Sequence, residues 1–204
     1  MRRDYHKWFS PRLGRDMEVL VFGHAGLPAV VFPTSQGRFY EFEDRGMVDA
    51  IRWKIDNGEV QLFCVDSVDA ESWYNRNVGP RWRIARQVQY DDYVIHEVVP
   101  LMKKLNWSPK MAAIGCSFGG YHDQDVYFNQ PTQFIPGMSD PWFLDRYRQN
   151  TYVLATGVHD QCWDQNERLA GIMRAKGIPV KLDVWGDNAR HDWPWWQRMI
   201  QTYL

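Results

Sequence analysis

Met111-Ala112-Ala113-Ile114-Gly115-Cys116-Ser117-Phe118-Gly119-Gly120 runs from an apolar stretch straight into a G-x-S-x-G motif. The apolar residues predict a buried strand, and the glycines predict a sharp turn at its end, made without a Cβ clash. A serine hydroxyl is a poor nucleophile unless it is held exposed beside a base, and such a turn does the holding. The motif alone occurs by chance in unrelated chains, so its weight depends on whether a base and an acid accompany it. Cys116 precedes the serine. Its side chain is expected on the opposite side of the turn, as a small core residue.

Two further strand ends supply the companions. Thr151-Tyr152-Val153-Leu154-Ala155-Thr156 reads as a strand followed by Gly157-Val158-His159-Asp160. Lys181-Leu182-Asp183-Val184-Trp185 reads as another, followed by the loop Gly186–Arg190 and by His191-Asp192-Trp193-Pro194-Trp195-Trp196 at the entry to the last helix. Ser117, Asp160 and His191 thus stand in the order nucleophile, acid, base, each just after a strand, which is the chain order of an α/β-hydrolase triad. Asp164 competes with Asp160 for the acid but more naturally opens the next helix. Asp192 is expected to cap the last helix.

The rest of the chain alternates in the same way. Strands are predicted at Met17–Phe22, Ala29–Phe32 and Val60–Val65, and helices over residues 47–57, Tyr90–Leu105 (with a kink at Pro100), Asp164–Lys176 and the C-terminal segment. Strands alternating with helices give an α/β class with a mostly parallel sheet flanked by helices, and 204 residues fit a single domain over 1–204. The formal net charge is -1, with no long run of one sign, which argues against nucleic-acid and membrane-surface partners. Three cysteines make no disulfide framework and fit a reducing, cytoplasmic setting; no signal-length apolar stretch follows the basic start.

The chain resembles the esterases of the α/β-hydrolase superfamily, in the broad esterase D-like group. The resemblance is carried by Tyr5–Gly14, by Val31-Phe32-Pro33-Thr34-Ser35-Gln36-Gly37-Arg38-Phe39-Tyr40, by Cys64-Val65-Asp66-Ser67-Val68-Asp69, by the Gly115 motif, by Lys176-Gly177-Ile178-Pro179 and by the His191 segment. It implies hydrolysis of short-chain or small-molecule carboxylic esters through an acyl-serine, with no cofactor and no metal. One departure stands out. Such proteins continue from the elbow into a long helix and a further strand, whereas here Gly120-Tyr121-His122 runs at once into Asp123-Gln124-Asp125. About thirty residues, the size of a βαβ step, are expected to be absent between His122 and Asp125. Either a segment is omitted there or a symmetric partner covers the elbow, making a homo-oligomer.

Position along the chain assigns further roles. The backbone N–H of Phe118 is one expected oxyanion donor, and the N–H of Ser35 or Gln36, in the loop after the Val30-Val31-Phe32 strand, is the other. Trp73 and Tyr74 are candidates for a pocket wall, and His122 for a substrate contact. Asp66 and Asp69 lie on one loop with no ligating histidine cluster, a poor metal site. Two other readings stay open at this point: a catalytically silent binding protein of hydrolase shape, and an acyltransferase.

Overall fold

Val60–Val65 (β4) is buried at every one of its positions, so a strand lies on each side of it and a layer covers each face. The computed structural model of the protein describes residues 1–116, 130–186 and 188–204. The contacts divide the chain into two units, Met1–Gly119 with Ile200–Leu204, and Gly120–Met199.

The first unit is a five-stranded sheet in the order β1-β2-β4-β3-β5, formed by Arg3–Ser10 (β1), Arg15–Phe22 (β2), Leu27–Phe32 (β3), β4 and Ala112–Gly115 (β5). β1–β2 and β2–β4 are antiparallel, while β3 runs parallel to both β4 and β5. The pleat of β2 sends Met17, Val19 and Val21 into a cluster with Val30, Phe63, Val65, Tyr90, Tyr93, Val98 and Met102. Leu20 and Phe22, equally buried, take the other face. There, Glu41–Asp44 (α1), Met47–Ala50 (α2) and Arg52–Asp56 (α3) bury Phe42, Met47, Val48 and Ile55, with α3 packed on β4.

Two helices differ from the reading of the sequence, which also passes over β1. The helix expected over residues 47–57 is two short turns, because buried Ile51 takes a non-helical φ of -120° between them. The helix expected from Tyr90 begins at Pro80 (α4, Pro80–Tyr93); among its residues only Tyr90 and Tyr93 are buried, so its apolar period starts near its end. The expected kink is a π turn over Val94–Val98 leading into Val99–Leu105 (α5). Pro100 lacks an N–H and its ring crowds the carbonyl four residues back, and widening the preceding turn relieves both.

Polar ties fix the frame. Glu97 in the π turn accepts from Trp8 Nε1 at 2.6 Å and Ser10 Oγ at 2.8 Å, fastening β1 to the helix layer. Asp66, fully buried at the end of β4, accepts from Arg38 Nε at 2.6 Å, and its carbonyl accepts from the Tyr90 hydroxyl at 2.7 Å. Glu71 accepts from both Arg15 and Arg86. Burial pushes the Glu71 carboxyl up, but the two guanidinium groups outweigh it and hold it below its ordinary value.

The second unit carries a two-stranded parallel sheet, Tyr152–Thr156 (β6) with Val180–Val184 (β7), joined by helix Trp163–Ala175 (α8); Pro131–Gly137 (α6) and Pro141–Arg148 (α7) precede it. α8 ends in a Schellman motif: Gly177 takes a φ of +68°, its N–H reaches the Arg174 carbonyl, and the Ile178 N–H reaches the Met173 carbonyl at 2.9 Å. Ile178 thereby drops into a small core with Met173 and Ile135. The last helix, Trp193–Tyr203 (α9), begins in this unit, and its final residues belong to the first. Among the described residues no helix is long and apolar enough to cross a membrane.

Candidate active site

In the first unit the parallel strands deliver three loops to one sheet edge. Phe32 faces Gly115 and Val31 faces Cys64, so β3, β4 and β5 end side by side. The loop from Pro33, the loop from Asp66 and the segment that continues into Ser117 all leave from those carboxyl ends, where open α/β sheets bind ligands. Ser117, Phe118 and His122 lie outside the described residues, as does the junction between His122 and Asp125. Cys116 is described. Burial, with a smaller contribution from the Glu41 charge, pushes its thiol up to about 12, which suits a packed residue rather than a nucleophile.

The loop after β3 is a tight turn. The Gly37 N–H donates to the Thr34 carbonyl at 2.8 Å, and Gln36 at its corner takes a φ of +60°. Glu41 clamps the start of the turn, accepting from the Thr34 N–H and hydroxyl, each at 2.8 Å. The Gln36 N–H donates to Asp69 Oδ2 at 2.9 Å, so a carboxylate oxygen already sits on that donor. Burial raises the Asp69 carboxyl, and this hydrogen bond pulls it partly back. Ser35, half-buried, is the preceding corner of the same turn. On the loop after β4, Trp73 is half-buried and Tyr74 is exposed, its N–H held by the Asp69 carbonyl at 3.0 Å.

In the second unit the ends of β6 and β7 bring an acid to a base. His191 Nδ1 lies 3.0 Å from Asp160 Oδ1 and 3.2 Å from Oδ2. The Asp160 side chain is nearly buried, at 6% exposed, and that of His191 keeps 17%. The carboxylate is oriented by the Cys162 N–H, which donates to Oδ1 at 2.8 Å. On the other side Trp196 packs edge-on to the imidazole, centroids 5.0 Å apart at 87°, from the first turn of α9. The two loops touch at backbone level: a Cβ on Gly157 would lie 2.2 Å from the Ala189 carbonyl oxygen, so only glycine permits this approach. Asp164 is exposed on the first turn of α8, and Asp192 receives the Trp196 N–H on its carbonyl at 3.2 Å at the start of α9. An open cleft of about 480 Å³, lined by His159, Gln161, Arg190 and His191, lies against the pair.

A carboxylate on Nδ1 fixes the tautomer that leaves Nε2 as the proton acceptor and stabilises the imidazolium that forms. In this arrangement the imidazole can accept a proton at Nε2 and the carboxylate can hold the charged ring in place. Sequence reading missed two features around the pair: the Gly157–Ala189 contact and the packing of Trp196 on the imidazole. Trp196 lies in the His191 segment that the sequence singles out, whereas the backbone contact has no local pattern.

No family model matches the sequence, and no curated protein matches it. Solved structures do. A ferulic acid esterase superposes with a TM-score of 0.76 at 15% identity, over 100% of this chain and 95% of that one. The S-formylglutathione hydrolase of Staphylococcus aureus gives 0.62 at 12%, over 99% and 95%. That of Agrobacterium tumefaciens gives 0.58 at 12%, over 98% and 92%.

Proposed function

We propose that this chain, an α/β hydrolase by fold, is a serine carboxylesterase acting on short-chain or small-molecule esters, with Ser117 as nucleophile, His191 as base and Asp160 as its orienting acid. The observation that carries the reading is the 3.0 Å contact between Asp160 and His191 beside an open cleft. His191 takes the Ser117 proton as the hydroxyl oxygen bonds to the ester carbonyl carbon. It then returns that proton to the departing alcohol, and water repeats the sequence on the acyl-serine. The negative oxygen formed in each half needs two donors. Phe118 N–H is one by its place after the nucleophile. Because the Gln36 N–H is engaged with Asp69, Ser35 N–H is the better second donor.

No step requires a cofactor, and the substrate is a small molecule in the cytoplasm. The test is labelling with a fluorophosphonate together with hydrolysis of p-nitrophenyl acetate. Wild-type protein is expected to label and turn over; Ser117→Ala is expected to do neither while keeping its circular dichroism. A folded wild type that neither labels nor hydrolyses is instead a silent binding protein, and one that labels and passes its acyl group to an added alcohol faster than to water is an acyltransferase.

A further inference from the structure

The Cys162 side chain has no part in the acyl chemistry, yet it stands beside the Asp160–His191 pair. Its sulfur, an Asp160 oxygen and a His191 ring nitrogen lie within 4.8 Å of one another, Asp160 buried and the other two half-buried. We infer that these three side chains form an inhibitory site for a borderline-soft divalent cation of the Zn²⁺ type, which shuts the acid–base pair by taking its imidazole and carboxylate as ligands.

The donor set favours this class of ion. Thiolate, imidazole and carboxylate together suit Zn²⁺, whereas Mg²⁺ and Ca²⁺ prefer oxygen alone. Ligands at about 2.0–2.3 Å from a tetrahedral ion lie roughly 3.5 Å from one another, so a turn of the Cys162 side chain closes the set. The cleft on His191 gives an ion and its remaining water ligand a way in. Metal ligation displaces the thiol proton to solvent, and the Asp160–His191 hydrogen bond gives way to two bonds to the ion. The Nδ1 proton is lost to solvent and Nε2 takes one up, so that the ring stays neutral and no longer offers a base. The other two thiols are unsuited: Cys64 is fully buried, and Cys116 is packed at the end of β5. The aspartates of the loop after β4, Asp66 and Asp69, take no part.

The inhibition rests on the proposed esterase reading; the binding does not. The test is titration of the whole protein with Co²⁺, followed by near-ultraviolet absorption, and with Zn²⁺, followed by p-nitrophenyl acetate hydrolysis. A thiolate-to-cobalt charge-transfer band is expected. Cys162→Ser, which keeps the backbone N–H on Asp160, should lose it and tolerate at least about tenfold more Zn²⁺, each rate being taken relative to the same protein without metal, since losing even an outer partner of a metal site weakens it by about 10–100-fold. His191→Ala keeps every thiol and should need at least about tenfold more Co²⁺ to develop the band. Absence of the band in wild type, its survival in Cys162→Ser, wild-type affinity in His191→Ala, or equal Zn²⁺ sensitivity in wild type and Cys162→Ser overturns the proposal. Failure of the esterase reading shows separately, as no basal hydrolysis, and leaves the cobalt result standing.

Discussion

Asp160 and Asp164 differ by one helical turn in sequence and by everything in environment. Asp160 is nearly buried with both oxygens on the imidazole, and Asp164 is exposed on α8. Asp160→Asn presents an amide where the imidazole N–H needs an acceptor, and turnover is expected to fall by up to about 10⁴-fold through loss of the correct tautomer. Asp164→Asn is expected to stay within about tenfold of wild type. Steady-state kinetics on both variants checks this, and the reverse ranking would move the acid to Asp164. Ser117→Ala, His191→Ala and their double variant are expected to be nearly equal, because members of a triad act as a unit. The Glu71 carboxyl gives a pH signature. Its folded-state value is depressed, so the stability it contributes is present above the unfolded value near pH ~4.3 and is lost as pH falls through the folded one. Thermal melts across the acid range up to neutrality should show Glu71→Gln less stable than wild type at neutrality and less sensitive to acid. The gain is modest, since the Glu71 side chain is more than a third exposed and that of Arg15 nearly as much.

At the scale of elements, two glycines make contrasting predictions. Gly157 is fixed by space, with the Ala189 carbonyl 2.2 Å from where a Cβ would stand. Gly177 is fixed by its φ of +68°, with nothing nearer than 3.5 Å. Gly157→Ala must part the loops that carry Asp160 and His191, and a displacement of about 1 Å in such geometry removes roughly 10² in rate. Gly177→Ala is expected to lower stability by about 1–2 kcal/mol, the cost of a Cβ in the left-handed region, and to leave kcat unchanged. Melting temperature and kcat measured on the same preparations separate the two. Elements are legible in the sequence where local pattern and burial agree. β4 is an unbroken apolar run buried throughout, and its bounds agree with the sequence reading. β1 escapes that reading because the residues on its more buried side, Asp4, His6, Trp8 and Ser10, are mostly polar; that side is made by Glu97 and its hydrogen bonds, which come from a distant segment. The Asp160–His191 pairing is legible from strand ends and chain order, whereas the Gly157–Ala189 approach is a tertiary contact without a local pattern.

For the whole molecule the deciding region is the segment after the elbow. Among the described residues β5 pairs only with β3, and its residues alternate between half-buried and exposed, unlike β4. An edge with this little cover invites pairing with another chain. The expected outcome is that the natural protein carries an additional helix and strand between His122 and Asp125, seen as an intact mass above 24.2 kDa and as no tryptic peptide joining Tyr121-His122 to Asp123-Gln124. A continuous peptide there would discard the omission, and sedimentation should then report a symmetric dimer covering the edge.

Cys64 sits in the middle of the five-stranded sheet, 2% exposed, with burial holding its thiol far above the ordinary value. An alkylating reagent cannot reach it while β4 is flanked by β2 and β3. The speed at which a trapping reagent consumes this sulfur in native buffer therefore measures how often the sheet opens. The protein carries its own clock for large-scale breathing, readable by mass spectrometry without a dye, a denaturant or a substrate.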